Sequence, residues 1–372
     1  MAVQSALRVE ALESYPHQNG RPKLSIWEYI KLLAKATTII YFSARRKFNI
    51  KYYVFCAIVD VVFTTFNDRE IQIYSHPTID AYNMWPLGHT GGSLLWVGNR
   101  RKASKIVLFL HGGGYIAPAL RGHYEWCWNA YVMAGREAGV EVAVGCLQYT
   151  LLNDGRFPVP LVQGAEALRS ILDSGVNPSD IYMGGDSAGG NLSLQILSHI
   201  LHPYEGIPPL NLSEPLGGVF LVSPWLSNNV YTDSFNRNSG HDMISFGAMD
   251  TLGAALYGEE LIKAHKADIL AGDYSAANPY MTPLDTDEDW LDGIGDITSH
   301  VYLTVGKNEI LYDQGVKLIS LLRRRNATCK IRLDEAEKEA HDFILIENIF
   351  GTPGDATSRM KDWFKGVITT RH

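Results

Sequence analysis

One stretch constrains the fold more than any other. Gly185-Asp186-Ser187-Ala188-Gly189 is preceded by the apolar run Asp180-Ile181-Tyr182-Met183-Gly184 and followed, from Ala188 to Leu201, by apolar residues at helical spacing. A serine with glycines two places before and two places after, set between these patterns, predicts a strand, a sharp turn and a helix. A serine held at positive φ brings its flanking positions so close that a β-carbon would clash, and Gly185 and Gly189 make room for it. The helix would point its free amides and positive dipole end at the same spot, favouring developing negative charge. Ser187 is thereby nominated as a nucleophile. Such pentapeptides also occur by chance in glycine-rich loops, so other motifs have to agree.

They do. Lys105-Ile106-Val107-Leu108-Phe109-Leu110 reads as an apolar strand and runs into His111-Gly112-Gly113-Gly114. Three consecutive glycines leave backbone amides unshielded, so Gly112 and Gly113 are expected to approach a substrate oxygen, with Ala188 supplying the donor after the nucleophile. In this order, each after its strand, the two motifs resemble those of the hormone-sensitive-lipase-like carboxylesterases of the α/β-hydrolase superfamily. The resemblance covers residues 85 to 350 or so. Gly185 to Gly190 match the group's G-D-S-A-G-G elbow and Asn177-Pro178-Ser179-Asp180 its lead-in. Phe157-Pro158-Val159-Pro160 is similar to the start of the helix before the elbow, and Ser223-Pro224-Trp225 to the strand end after it. Tyr149-Thr150-Leu151-Leu152 departs from the more usual Y-R-L-A. The resemblance implies an α/β fold, a mostly parallel central sheet flanked by helices with a helical cap, and serine ester hydrolysis through an acyl-enzyme.

Chain order in α/β-hydrolases runs Ser, then Asp or Glu, then His, so the acid should follow a strand between Ser187 and the base. Val301 to Gly306 is such a strand, and Lys307-Asn308-Glu309-Ile310-Leu311-Tyr312-Asp313 follows it. In the group this segment reads D-x-L-x-D with the first carboxylate catalytic. Aligned on Leu311, that position is Glu309; the alternative, Asp313, is expected in the first turn of the next helix. His341 follows the strand-like Cys329-Lys330-Ile331-Arg332-Leu333, and of the twelve histidines only it combines a position after the last strand with H-x-F spacing. Its expected task is to accept the Ser187 proton and return it to the leaving group, with Glu309 fixing the tautomer and stabilising the imidazolium. His111 is expected to brace the oxyanion loop.

At 372 residues with 46% hydrophobic content, the chain can bury one large α/β core. A net charge of −7 argues against nucleic acid as a partner, since phosphate binding needs a concentrated basic surface. Arg45-Arg46-Lys47 and Arg323-Arg324-Arg325 are local exceptions, the second most simply a solvated helix end. Cys56, Cys127, Cys146 and Cys329 show no C-x-x-C or zinc spacing, and there is no H-E-x-x-H or G-x-x-x-x-G-K-[ST] motif. Neither disulfides, a metal nor a cofactor is implied. The first twenty residues lack the basic-then-apolar plan of a secretory signal, and a cytoplasmic location is expected.

Two stretches near the start, Ile30 to Phe42 and Val54 to Phe66, are rich in apolar and aromatic residues. Lys31 and Lys35 interrupt the first and Asp60 the second, so neither reaches the ~20 apolar residues of a spanning helix. They read as amphipathic or buried helices; with the basic cluster between them they allow peripheral, interfacial membrane contact. The expected organisation is an N-terminal helical cap segment (1–66), a first part of the core (67–226), a cap insertion (227–295) and a second part of the core (296–372). Trp27, Tyr41, Phe42, Tyr52, Tyr53, Phe235, Phe246 and Tyr257 are candidates to line an apolar pocket. The expected substrate is a small or medium apolar ester. Alternatives are a tailoring hydrolase, lactonase, acyltransferase or cyclase on a bulky natural product, or a lipid or steryl ester deacetylase at a membrane surface. A ligand-binding receptor on the same fold would not need a complete triad.

Overall fold

In the computed structural model the apolar runs of the sequence become the inner strands of one eight-stranded sheet. The structure describes residues 50–65, 83–87, 90–257, 277–351 and 353–370, with isolated positions within 26–37 and 267–271. The strands are β1 (Asn83–Pro86), β2 (Ser93–Gly98), β3 (Lys105–Leu110), β4 (Val142–Gln148), β5 (Ile181–Asp186), β6 (Gly218–Val222), β7 (His300–Gly306) and β8 (Lys330–Ala336), in the order β1-β2-β4-β3-β5-β6-β7-β8. β2 pairs antiparallel with β1 and β4, and every other pairing is parallel. Parallel strands covered by helices on both faces need apolar side chains on both, which is why β5, β6 and β7 are buried along their whole length. β8 closes one edge, and Lys330, Arg332 and Glu335 are exposed along it, as a solvated edge requires. It runs three residues beyond the Leu333 expected from sequence because β7 continues to pair with it as far as Gly306 and Ala336.

Helices cover both faces. On one lie the helix after β5 (Ser187–Leu201), Val159–Asp173 and Tyr312–Arg325, which contribute Leu192, Ile196, Leu161, Leu168 and Leu318 to the core. On the other, Arg121–Trp126, Met133–Ala138 and Asp355–Thr369 pack an aromatic cluster that includes Trp126, Trp363 and Phe364 against Phe109 and Phe220 of the sheet.

The sequence's second apolar stretch forms the helix Ile50–Thr65. It packs on the helix Phe246–Tyr257, and Asp60 Oδ1 accepts the Ser245 amide at 2.8 Å. Between β6 and β7 the described residues also form the short helices Asp233–Asn238 and Ile294–Ile297. Most of the first apolar stretch and the whole basic cluster 45–47 lie outside the described residues. Among the described residues no helix is long and apolar enough to cross a membrane. Because β3, β5, β7 and β8 are parallel, their carboxyl ends share one edge of the sheet, where α/β proteins place their ligands. The loop at His111, Ser187, Glu309 and His341 all follow these ends.

Candidate active site

Ser187 sits at φ +49° on the first turn of its helix, 4% exposed. What demands the glycines is the end of the neighbouring strand. A β-carbon on Gly185 would lie 1.8 Å from the Leu110 carbonyl oxygen, and one on Gly189 would lie 1.9 Å from the same atom. The bare elbow thus lets β3 reach full length, and the glycine loop that follows it is pressed against the nucleophile. His111 is fully buried and stacks on Tyr149 with ring centres 4.3 Å apart. The Tyr149 hydroxyl donates to the His111 carbonyl at 2.8 Å. Burial, reinforced by the nearby His123, pushes the His111 imidazole down to about 4, so it braces this loop as a neutral ring.

The loop's glycines divide differently from the sequence expectation. Gly113 and Gly114, at φ +103° and +61°, line the cavity over Ser187. Gly112 does not: its β-carbon position lies 2.2 Å from Asp186 Oδ2, so it is pressed against that carboxylate instead. Of the two glycines expected there, Gly113 lies on the wall and Gly112 does not, with Gly114 beside Gly113. Ala188 is fully buried directly after the nucleophile, at the start of the helix. Asp186 also meets His123 Nε2 at 3.2 Å, while His123 Nδ1 accepts the Leu120 amide at 2.9 Å, so Nε2 carries the proton. Burial alone would raise the Asp186 carboxyl, but His123, His111 and the Gly112 amide outweigh it and hold it below the usual range.

Ser187 and His341 line the same cavity. Glu309 lies behind His341, fully buried, with Oε2 4.0 Å from Nδ1. Neither ring nitrogen makes a hydrogen bond. Asp342 Oδ2 lies 3.2 Å from Nε2 without hydrogen-bond alignment. The ring thus faces carboxylates on both edges, and contacts of this kind often close only when substrate is bound. Asp313, the alternative acid, is elsewhere: it accepts the Ser234 amide at 2.8 Å and faces Arg237.

Three features here were given no role from the sequence. Ser223, at φ +46°, donates its hydroxyl to Glu309 Oε2 at 2.6 Å and accepts the Asp342 amide at 3.3 Å. Asp342, at φ +52°, brings its carboxylate beside the imidazole. Asp242 from the β6–β7 connection is fully buried against both loops. Burial pushes Glu309 up to about 8 and Asp242 to about 6, and raises Asp342 as well. Burial by itself would lower His341, but Asp342 first, then Glu309 and Asp242, push it up to about 9.

The cavity has a volume of about 220 Å³ and is mostly apolar. Phe55, Ile58 and Val59 enter from the helix Ile50–Thr65, and Met243, Ile244, Met249 and Leu252 from the β6–β7 connection, with Trp225 beside the nucleophile. None of the singled-out aromatics whose side chains the structure describes lines it. Trp27 is 74% exposed, Tyr52 stacks on Phe350, and the Tyr53 hydroxyl bonds the Lys338 carbonyl. Phe235 is in the core and Phe246 faces outward. Tyr41 and Phe42 lie outside the described residues, as does the side chain of Tyr257.

A family model described as the alpha/beta hydrolase fold matches residues 107–345. An esterase of Acinetobacter venetianus is 25% identical over 211 residues, 57% of this chain and 59% of that protein. An ethyl acetate hydrolase of Pseudomonas putida is 35% identical over 112 residues, 29% of this chain and 33% of that protein. The chain thus matches less than two thirds of the length of either relative. Among solved structures, an esterase from the bacterial hormone-sensitive lipase family superposes with a TM-score of 0.61 at 22% identity, covering 84% of this chain and 98% of that one. With the family model spanning Ser187, the glycine loop, Glu309 and His341, this chain belongs to the alpha/beta-hydrolase fold family.

Proposed function

We propose that the protein is a serine carboxylic-ester hydrolase acting through an acyl-enzyme on small or medium apolar esters. One observation carries this reading: a serine held at positive φ at a helix N-terminus shares a cavity with a buried histidine that has a buried carboxylate behind it. Ser187 attacks the ester carbonyl, and His341 takes its proton and then delivers it to the leaving alcohol. Water repeats the sequence on the acyl-enzyme. The amides of Gly113, Gly114 and Ala188 hold the oxyanion, each worth ~3 kcal/mol in the barrier. Glu309 stabilises the imidazolium as it forms. The Asp342 carboxylate lies 3.2 Å from Nε2, the ring edge that takes the proton.

The cavity supports the substrate class. At about 220 Å³ it falls below the roughly 300–1,000 Å³ of sites for drug-sized ligands, and its apolar wall suits an uncharged acyl or alcohol group. In this reading the helix Ile50–Thr65 and the described residues of the β6–β7 connection form a cap, because they supply that wall. The test is hydrolysis of a short-chain p-nitrophenyl ester together with fluorophosphonate labelling. The native chain should turn over and be labelled. Ser187→Ala should lose ~10⁶-fold in kcat with an unchanged melting temperature and no labelling; turnover by that variant overturns the reading.

A further inference from the structure

We infer that Asp242 is a positioning residue that sets the base His341 against the acid Glu309 by tying their two loops to one carboxylate. This rests on the catalytic roles proposed above. Asp242 Oδ1 accepts the backbone amide of His341 itself at 2.8 Å and that of Met243 at 2.7 Å. Oδ2 accepts the amide of Ile310, the residue after Glu309, at 2.7 Å. One side chain therefore spans the loop after β7 and the loop after β8. An ionised carboxylate has about four acceptor sites, and such charge-assisted bonds to N–H groups are short and strong. At a fully buried position these amides have no bulk water to turn to, so losing the carboxylate is costly.

The same turn makes a second attachment. Asn238 Nδ2 donates to the carbonyls of Glu309 at 2.8 Å and Lys307 at 3.1 Å, and the Asn238 carbonyl accepts the amide of Asp242 at 3.0 Å. The turn grips the acid loop by both its donors and its acceptors, and Asp242 extends that grip to the base. Titratable groups face it from several elements: His341 and Glu309 from the two loops, Tyr53 from the helix Ile50–Thr65, and its neighbour His241, with Asp342 across the imidazole. As a negative charge near the ring, Asp242 also favours the imidazolium.

A carboxylate that merely staples the cap would affect stability alone; one that positions the base affects turnover and the pH at which the base works. Asp242→Asn and Asp242→Glu are compared with Glu347→Gln. Glu347 is a buried carboxylate that accepts the amides of Gly354, Ala356 and Thr357 and bonds neither catalytic loop. With a p-nitrophenyl ester, Asp242→Asn should lose about 10–100-fold in kcat with KM within about threefold, the size of effect expected when a catalytic group is misplaced by about 1 Å. The rising limb of its kcat/KM profile should move to lower pH, because a charge that favours the imidazolium is gone. Asp242→Glu keeps the charge but lengthens the strut, so kcat should fall while the limb stays in place. This variant decides the matter if Asp242→Asn does not fold. Glu347→Gln should lower the melting temperature with kcat within about twofold. Native kcat in Asp242→Glu, an unmoved limb in a folded Asp242→Asn, or an equal kcat loss in Glu347→Gln overturns the proposal. Ser187→Ala is run beside them: turnover there breaks the catalytic assignment and this proposal with it. A dead Ser187→Ala beside unimpaired Asp242 variants breaks the positioning role alone.

Discussion

Around Ser187 the backbone does the positioning. The carbonyl of Leu110 fills the space that a β-carbon at Gly185 or Gly189 would need, and the donors expected for an oxyanion are main-chain amides. Around His341 side chains from distant segments do it instead: Ser223 reaches Glu309 and the Asp342 amide, and Asp242 reaches the two catalytic loops. The four non-glycine residues with positive φ among the described residues are Tyr115, Ser187, Ser223 and Asp342, so backbone strain gathers where the two halves meet. The difference has a mechanical consequence. A backbone-built half tolerates no added atom at its contacts, whereas a side-chain-built half can lose one contact and keep its fold.

The harshest way to break the comparison is to remove the group that links the halves. His341→Ala should cost ~10⁶-fold in kcat, close to the loss in Ser187→Ala, and the double variant should be no worse than either, because members of a catalytic unit are not additive. Rates of p-nitrophenyl ester hydrolysis by the three variants check this. A double variant much slower than both singles would mean that the residues act independently. Next comes the acid. Glu309→Gln should lose ~10³–10⁴-fold by failing to stabilise the imidazolium, while Asp313→Asn, on a carboxylate that faces Ser234 and Arg237, should stay within a few-fold of the native rate. Equal losses in the two would return the acid's identity to the choice between them.

Smaller in kcat but larger in stability is the effect on the nucleophile half. Gly185→Ala places a β-carbon 1.8 Å from a main-chain oxygen that cannot rotate away. Either β3 or the elbow must shift, so kcat should fall by about 100-fold or more and the melting temperature should drop as well. Asp242→Asn, by contrast, should move kcat more than it moves KM. Measuring both quantities for both variants sharpens the distinction, and a Gly185→Ala protein with native kcat and melting temperature would erase it.

The same distinction explains what could be read from the sequence. The nucleophile half was legible because a steric demand leaves a mark in composition: glycine is the residue without a β-carbon, and the elbow needs it at fixed offsets. The inner strands were legible for a related reason, since burial on two faces leaves continuous apolar runs such as Lys105 to Leu110. Glu309 and His341 could be reached through chain order and the family resemblance. The roles of Ser223 and Asp242 could not, because bonds to loops 68 to 119 positions away leave no local pattern, and nothing in the sequence says that Asp342 turns its carboxylate to the adjacent ring. Within the glycine loop, which of three adjacent glycines faces the cavity depends on φ, and Gly113 and Gly114 lie there while Gly112 packs on Asp186. The pocket aromatics were misread because aromatic content says nothing about which face of a helix turns inward: on Ile50–Thr65, Phe55 reaches the cavity and Tyr53 reaches the base loop instead.

The mildest test concerns Asp342, the carboxylate nearest the proton-accepting edge of the ring. His341 is pushed up to about 9, with Asp342 the largest of the influences that overcome burial. A base must be neutral to accept the serine proton, so kcat/KM should climb with pH up to about 9 and be held back at neutral pH. Asp342→Asn removes the nearest charge; the rising limb should move toward the ordinary imidazole range, and activity at neutral pH should increase several-fold. Stability carries the opposite sign. A histidine whose folded-state pKa is raised contributes stability that is fully present below its unfolded pKa of about 6.5 and is lost as pH rises through about 9. With the His341 shift reduced, Asp342→Asn should therefore lose less melting temperature than the native protein as pH rises through that window. A limb unmoved by the substitution would mean that the Asp342 carboxylate does not govern the base in solution. The side-chain half would then be built from Glu309, Ser223 and Asp242 without it.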